Sequence, residues 1–281
     1  MRVKERILEI LRGEIPEELL KLIPSRYPII GSAVLMRIPF HLQPYRHQIG
    51  SAVLSVIPSI KSVWGITDTW RTIRKPKVVY LAGEKNPIVK HRELNTLFKL
   101  DISRLTFSPG NREERKKLVK IIGDGEAVLD MFACVGNLSL PIATNSNPKV
   151  IYCVEINPYA YRFLLENIVM NKVQGTVIPI LKNNLLLNLR DAVDHVLLGF
   201  LPCPSLEQIK IAIRSINKEG FLHIHTLAQR NKEQNKSIEI VKIIESLGVR
   251  ILDYYWEIVK SFSPAFNHIV VRIQIFKGGS G

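Results

Sequence analysis

Glu155 closes an apolar run, VIYCVE, and stands 19 residues beyond Gly136, a lone glycine in a turn. An earlier apolar run ends at Asp130 and leads into that turn, and a small-residue helix separates the two runs. Strand, turn, helix and strand in this order predict a parallel βαβ unit, with its nucleotide crevice at the carboxyl ends of the strands. An acid closing the second strand, about 20 residues past the glycine turn, is placed to grip the two ribose hydroxyls of an adenosine. The glycine-rich dinucleotide fingerprint and the lysine-bearing phosphate loop are both missing. The residues therefore point to adenosine without a pyrophosphate, and S-adenosylmethionine fits that description.

Holding such a crevice takes a parallel sheet, and the rhythm of the chain predicts one from Asn111 onward. A helix at 112–122 precedes strands at 126–131, 149–155, 175–180, 193–199 and 219–225, with helices at 137–144, 158–171, 205–217 and 232–247. The last two strands, 249–258 and 267–276, have only a short loop between them and should pair antiparallel. Seven strands with a final reversed hairpin predict the doubly wound α/β sheet of a class I S-adenosylmethionine-dependent methyltransferase, a Rossmann-like domain over residues 111–277. Residues 1–110 predict a smaller α+β domain. It is helical up to Pro24, then has a strand at 32–39, a helix at 45–57 and short strands near 61–66, 77–82 and 95–102. Pro39, Pro58, Gly65, Pro76 and Gly83 punctuate these elements. The terminal GGSG is left out of the fold.

The chain of 281 residues has 39 Lys and Arg against 25 Asp and Glu, a net charge of +14. Its basic residues concentrate in RTIRKPK (71–77), EKNPIVKHR (84–92) and REERKK (112–117). Such clusters neutralise phosphates and release counterions, and their closeness to the adenosine unit favours RNA as partner. No apolar stretch reaches the roughly 20 residues of a membrane span. The N-terminus, MRVKERILEILRG, is too charged for a signal peptide and reads as an amphipathic helix. Cys134, Cys153 and Cys203 are too scattered for a disulfide framework or a zinc knuckle, so a cytoplasmic chain is expected. His223 and His225 alternate along LHIH and face one side of a strand as packing or hydrogen-bonding residues, and no metal is expected. Phe132, Tyr159 and Phe200 are expected in the core.

Six segments carry a resemblance to a known family: FSPGNREER (107–115), LDMFACVGNLSLPIA (129–143), CVEINPYAYRFLLENIVMN (153–171), DHVLLGFLP (194–202), GFLHIH (220–225) and KSFSPAFNHIVVRIQI (260–275). In this order they resemble the archaeal and eukaryotic enzymes that modify the purine 3′ of the tRNA anticodon, and the resemblance covers roughly residues 27–276. That family holds two chemistries. One branch makes 1-methylguanosine at position 37. The other moves the 3-amino-3-carboxypropyl group of S-adenosylmethionine onto carbon 7 of 4-demethylwyosine at position 37 of tRNA(Phe), a step toward wybutosine.

The methylating enzymes resemble one another in an arginine after FSP, where this chain has Gly110. They also carry an acidic motif after the fourth strand, where LGFLPCPS offers no acid before Glu207. FSPGN, LGFLP and LHIH are similar to the aminocarboxypropyl branch, so the resemblance implies that reaction. Guanine methylation and tRNA binding without turnover are the alternatives. The donor carbon must meet the base in line, so positioning should be the main catalytic contribution, with no covalent enzyme nucleophile. The resemblance further implies that Ser108 donates a hydrogen bond to the cofactor and that Arg115 pairs with its methionine carboxylate. Asn183 and Asn184 stand where the family usually has aspartate-asparagine, and an asparagine carbonyl can still accept from the adenine amino group. Cys134 stands where most relatives have glycine, so its side chain is expected to crowd the cofactor.

Overall fold

The computed structural model describes residues 3–69 and 76–278; Arg71, Arg74 and Lys75 of the first basic cluster lie outside it. The chain divides into two compact units, Met1–Arg92 with Leu97–Pro109, and Glu93–Thr96 with Gly110–Gly281.

In the first unit, α1 (Val3–Leu11) buries Ile7 and Leu11, four residues apart on one face. It stops there because Gly13 adopts φ +81° and Pro16 has no N–H to continue the ladder. The helix expected up to Pro24 is thus two pieces, the second being the single turn α2 (Glu17–Leu20). Strands β1 (Ile29–Ile30), β2 (Ala33–Arg37), β3 (Ser62–Thr69) and β4 (Pro76–Gly83) form a four-stranded sheet in that order, with β2 and β3 parallel. Between β2 and β3 runs α3 (Arg46–Val56), which packs on β4. Gly50 permits the close approach, since a Cβ there would lie 2.7 Å from that of Leu81. Strands β5 (Ile88–Glu93) and β6 (Thr96–Asp101) form a hairpin through Leu94 and Asn95, both at positive φ, as a two-residue primed turn requires. The second basic cluster is therefore largely a strand, exposing Lys90 and Arg92 on one face and burying Val89 and Glu93 on the other.

The second unit opens with α4 (Arg112–Ile121) and continues β7 (Ala127–Asp130), α5 (Ser139–Asn145), β8 (Val150–Glu155), α6 (Pro158–Met170) and β9 (Val177–Leu181). It then runs β10 (Val193–Leu198), α7 (Leu206–Ser215), β11 (Ile216–Gln229), α8 (Glu233–Glu245), β12 (Arg250–Ser261) and β13 (Phe266–Phe276). The seven strands lie in the order β12-β13-β11-β10-β7-β8-β9, and β13 alone runs against its neighbours. All four residues of β7 are buried, as expected of a central parallel strand covered on both faces. Strand order reverses between β7 and β10, so the crevice of a doubly wound sheet opens there. One face of the sheet packs Val196, Leu222, Ile224, Val271 and Ile273 against Ile209 and Ala212 of α7 and Ile240 and Ile244 of α8. Among the described residues, no helix is long and apolar enough to cross a membrane.

The opposite face carries buried polar groups. His195 Nδ1 lies 3.0 Å from His223 Nε2, and His225 Nδ1 lies 2.9 Å from His268 Nε2. Arg272 donates two bonds to Glu114 of α4, at 2.7 and 2.8 Å, and one to Glu257, at 2.7 Å. Burial holds the pKa of His195 below the ordinary imidazole value, against the pull of Glu126 at 3.0 Å. Burial holds His223 well below it, with His195, Arg272 and His225 adding repulsion. Both rings therefore take up a proton less readily in the folded chain than in the unfolded one. The stability they contribute is complete above the unfolded value near 6.5 and is lost as pH falls, by up to about 1.4 kcal/mol per pH unit for each ring. Urea unfolding at pH 7.5 and 5.5 should show this loss, and a loss absent from His223→Phe would be ascribed to His223.

Candidate functional site

At the switch point, Ala133 N–H donates to the Val154 carbonyl at 3.0 Å, so the turn after β7 lies against the end of β8. Gly136 makes the turn possible: it adopts φ +92°, and a Cβ there would fall 2.4 Å from the Leu140 side chain. Glu155 Oε2 accepts from Cys134 N–H and Oε1 from Asn157 N–H, both at 2.7 Å. Two of the roughly four acceptor positions of the carboxylate are thereby used, which leaves room for a pair of hydroxyl donors. Burial raises the Glu155 pKa, and the backbone N–H groups of Asn157, Cys134 and Ile156 oppose the rise.

Cys134 adopts φ +52°, the left-handed region that glycine enters without strain. A glycine would hold this conformation without strain, and the cysteine holds it at a backbone cost. The replacement Cys134→Gly removes the strain and adds chain entropy, so stability should change by less than about 1 kcal/mol in thermal unfolding. S-adenosylmethionine affinity should stay equal or improve; a loss would mean that the thiol itself makes a contact.

Asn183 is half-buried, and its Oδ1 accepts from Leu185 N–H at 3.0 Å, capping the short turn Asn184–Leu186. Asn184 is buried, giving Nδ2 to the Met131 carbonyl at 2.9 Å while its Oδ1 accepts from Gln208 at 3.2 Å. Its amide ties the end of β7 to α7. Arg115 is 1% exposed, and its Nε donates to Glu93, a carboxylate of the chain itself, at 2.6 Å. A guanidinium at that depth requires such a partner. Ser108 belongs to the first unit and stands just before the turn Pro109–Asn111.

Asp130 was legible only as the end of a strand. It is 1% exposed, with Oδ1 accepting from Phe132 N–H at 3.1 Å, and burial pushes its pKa up to about 7. Phe132 and Phe200 are stacked at 5.1 Å beside it, half-buried rather than in the core. Ile156 and Leu186 stand 64% and 66% exposed close in sequence to Glu155 and Asn183, apolar surface that an adenine ring would cover. The donor set thus fits an adenosine: a carboxylate for the ribose, an amide carbonyl and flanking apolar side chains. Among the described residues, no group of three or more His, Cys, Asp or Glu is placed to hold a metal ion.

This strand order, with an acid closing the strand beside the switch point, defines the class I S-adenosylmethionine-dependent methyltransferase fold. The chain belongs to the TRM5/TYW2 methyltransferase domain family, whose model matches residues 89–252, and residues 7–86 match the TYW2 N-terminal domain. It is 34% identical over 277 residues to the tRNA(Phe) (4-demethylwyosine(37)-C(7)) aminocarboxypropyltransferase of Pyrococcus horikoshii, a match covering 98% of each chain. The crystal structure of P. horikoshii TYW2 in complex with MeSAdo superposes with a TM-score of 0.81 at 31% identity, covering 98% of this chain and 100% of that one. The complex of aTrm5 and tRNALeu superposes with a TM-score of 0.82 at 26% identity, covering 96% of this chain and 78% of that one.

Proposed function

We propose that this protein transfers the 3-amino-3-carboxypropyl group of S-adenosylmethionine to carbon 7 of 4-demethylwyosine in tRNA(Phe). The observation that carries this reading is the TYW2-type N-terminal domain, present over residues 7–86 beside a catalytic unit shared with the guanine methylating enzymes. The sulfonium donor supplies an electrophilic carbon on each of its three arms, so the protein selects the product by which arm it aims at the base. Glu155 accepts the ribose hydroxyls, and the Asn183 carbonyl accepts from the adenine amino group. Asp130, an acid held near neutrality at the end of β7, is suited to accept from the ammonium of the amino-acid arm. Orientation of this kind accounts for ~7–11 kcal/mol of a barrier, and no covalent enzyme nucleophile is needed. The tRNA is held by its anticodon arm, and exposed Lys85, Lys90 and Arg92 contribute to the charge that attracts it.

Mass spectrometry of the small product settles the transferred group. With tRNA carrying 4-demethylwyosine, methylthioadenosine is expected, and tRNA with unmodified guanosine at that position should be a poor substrate. Adenosylhomocysteine together with a methylated base would replace this reading by methyl transfer. Neither product, with tRNA still bound, would make the chain a binding protein.

A further inference from the structure

The reversed strand places a hairpin tip where a substrate would meet it. Strands β7 to β11 and β12 all end at one edge of the sheet, and β13 begins there, because Gln229 at the end of β11 pairs with Phe266 at the start of β13. The tip between β12 and β13, residues 262–265, therefore shares the edge that holds Asp130 and Glu155. Across the sheet it stands two to three strand spacings from β10, ~10–14 Å at the usual inter-strand distance, and it projects past the end of β10, because the Gln229–Phe266 pair lies beyond the level at which Ile224 pairs with Leu198.

This tip is closely hydrogen-bonded and carries exposed rings. Phe262 N–H and Ser263 N–H both donate to the Phe266 carbonyl at 3.0 Å, and Phe266 N–H donates to Ser263 Oγ at 3.1 Å. Arg230 N–H donates to the Ala265 carbonyl at 3.0 Å, and its guanidinium reaches Ser261 Oγ at 2.5 Å and the Ser263 carbonyl at 3.3 Å. With its backbone held so closely, the tip still leaves Phe262 48% and Phe266 42% exposed. Arg230 and Lys232 are exposed beside them. Scattered exposed apolar residues are ordinary. Two phenylalanines on one pre-ordered hairpin, flanked by cations, have the composition of a platform for an unstacked base with its phosphate.

We infer that Phe262 and Phe266 form a stacking platform for a nucleotide of the tRNA neighbouring the target base. This rests on the tRNA reading above and adds the surface that orders the RNA around the reacting position. A rigid ring at that place holds the strand splayed, so that the target base can enter the crevice while its neighbour is stacked outside it. The cations complement the phosphate between the two nucleotides, and a second protein chain would gain nothing from them.

The test uses the full chain and tRNA carrying 2-aminopurine on the 5′ or the 3′ side of the modified position, in separate preparations. Binding to the wild type should quench the fluorescence of one of the two labels. Phe262→Ala/Phe266→Ala should abolish that quenching and raise KM for tRNA about tenfold, the effect of losing one base–aromatic stack. S-adenosylmethionine affinity should be unchanged, because neither ring belongs to the adenosine site. Phe262→Tyr/Phe266→Tyr should restore both signals, whereas Phe262→Leu/Phe266→Leu, which keeps the apolar bulk and guards against misfolding, should not. If the wild type modifies tRNA while the alanine variant keeps its KM within twofold, the platform is rejected and the proposed function stands. Full activity in the leucine variant would also reject stacking. A wild type that neither binds nor modifies tRNA removes the occupant, and with it both readings.

Discussion

Arg272→Met is expected to cost about 3–5 kcal/mol of folding stability, one of the two largest effects anticipated here. Arg272 is 2% exposed, and both of its carboxylate partners lose their cation together. Glu257 can turn to solvent, being 33% exposed and also paired with Lys117. Glu114 cannot, because its side chain is 2% exposed between α4 and the sheet. Burial already pushes the Glu114 pKa upward, with the Arg272 guanidinium opposing the rise, so removing the arginine leaves a carboxylate that must protonate or draw in water. Adding Glu114→Leu to Arg272→Met should recover a large share of the loss, since an apolar pair of similar volume replaces a buried ion pair at small cost. Urea unfolding of the single and double variants measures both quantities. A single-variant loss below about 1 kcal/mol would show that the pair is hydrated and unimportant to stability.

Glu155→Ala should weaken S-adenosylmethionine by ~1.5–3 kcal/mol, roughly 10- to 150-fold, through loss of charge-assisted bonds to the ribose. The alanine also frees the N–H groups of Cys134 and Asn157, so part of the effect comes through the loop. Glu155→Gln separates the two contributions. Its carbonyl can still accept one N–H, while its amide presents donors to hydroxyls that themselves need an acceptor. Calorimetry should therefore place the glutamine variant between wild type and alanine. Unchanged affinity in the alanine variant would move the ribose to another crevice.

The parallel sheet was legible because its strands are short continuous apolar runs, and because Gly136 and Glu155 fall at the spacing such a unit imposes. The misreadings have local causes. Ile7, Leu11, Ile15, Leu19 and Ile23 keep a helical spacing straight through Gly13 and Pro16, so periodicity concealed a break that backbone chemistry enforces. β5 was hidden by its own polar residues, since Lys90 and Arg92 on its exposed face and His91 and Glu93 on the other make the run look like a charge cluster. The partners that Arg115 and Asn184 hold inside the chain could not be read from sequence, because they lie well apart along it: Glu93 for the one, Met131 and Gln208 for the other. Residue type alone allows either a ligand or an internal carboxylate to be the guanidinium's partner.

The bond between Arg272 and Glu114 also bears on how the last strand finds its place. β13 is made after β12 yet must insert between it and β11. Val271 and Ile273, on either side of Arg272, point into the apolar face that α7 and α8 cover. A slip of one residue would drive the guanidinium into that oil, and a slip of two would carry it ~7 Å away from its carboxylate. Hydrophobic residues at 269, 271, 273 and 275 would tolerate a two-residue slip almost indifferently. Arg272, the buried cation of this strand, acts as an alignment mark, and it makes one threading of the final strand far better than its near neighbours.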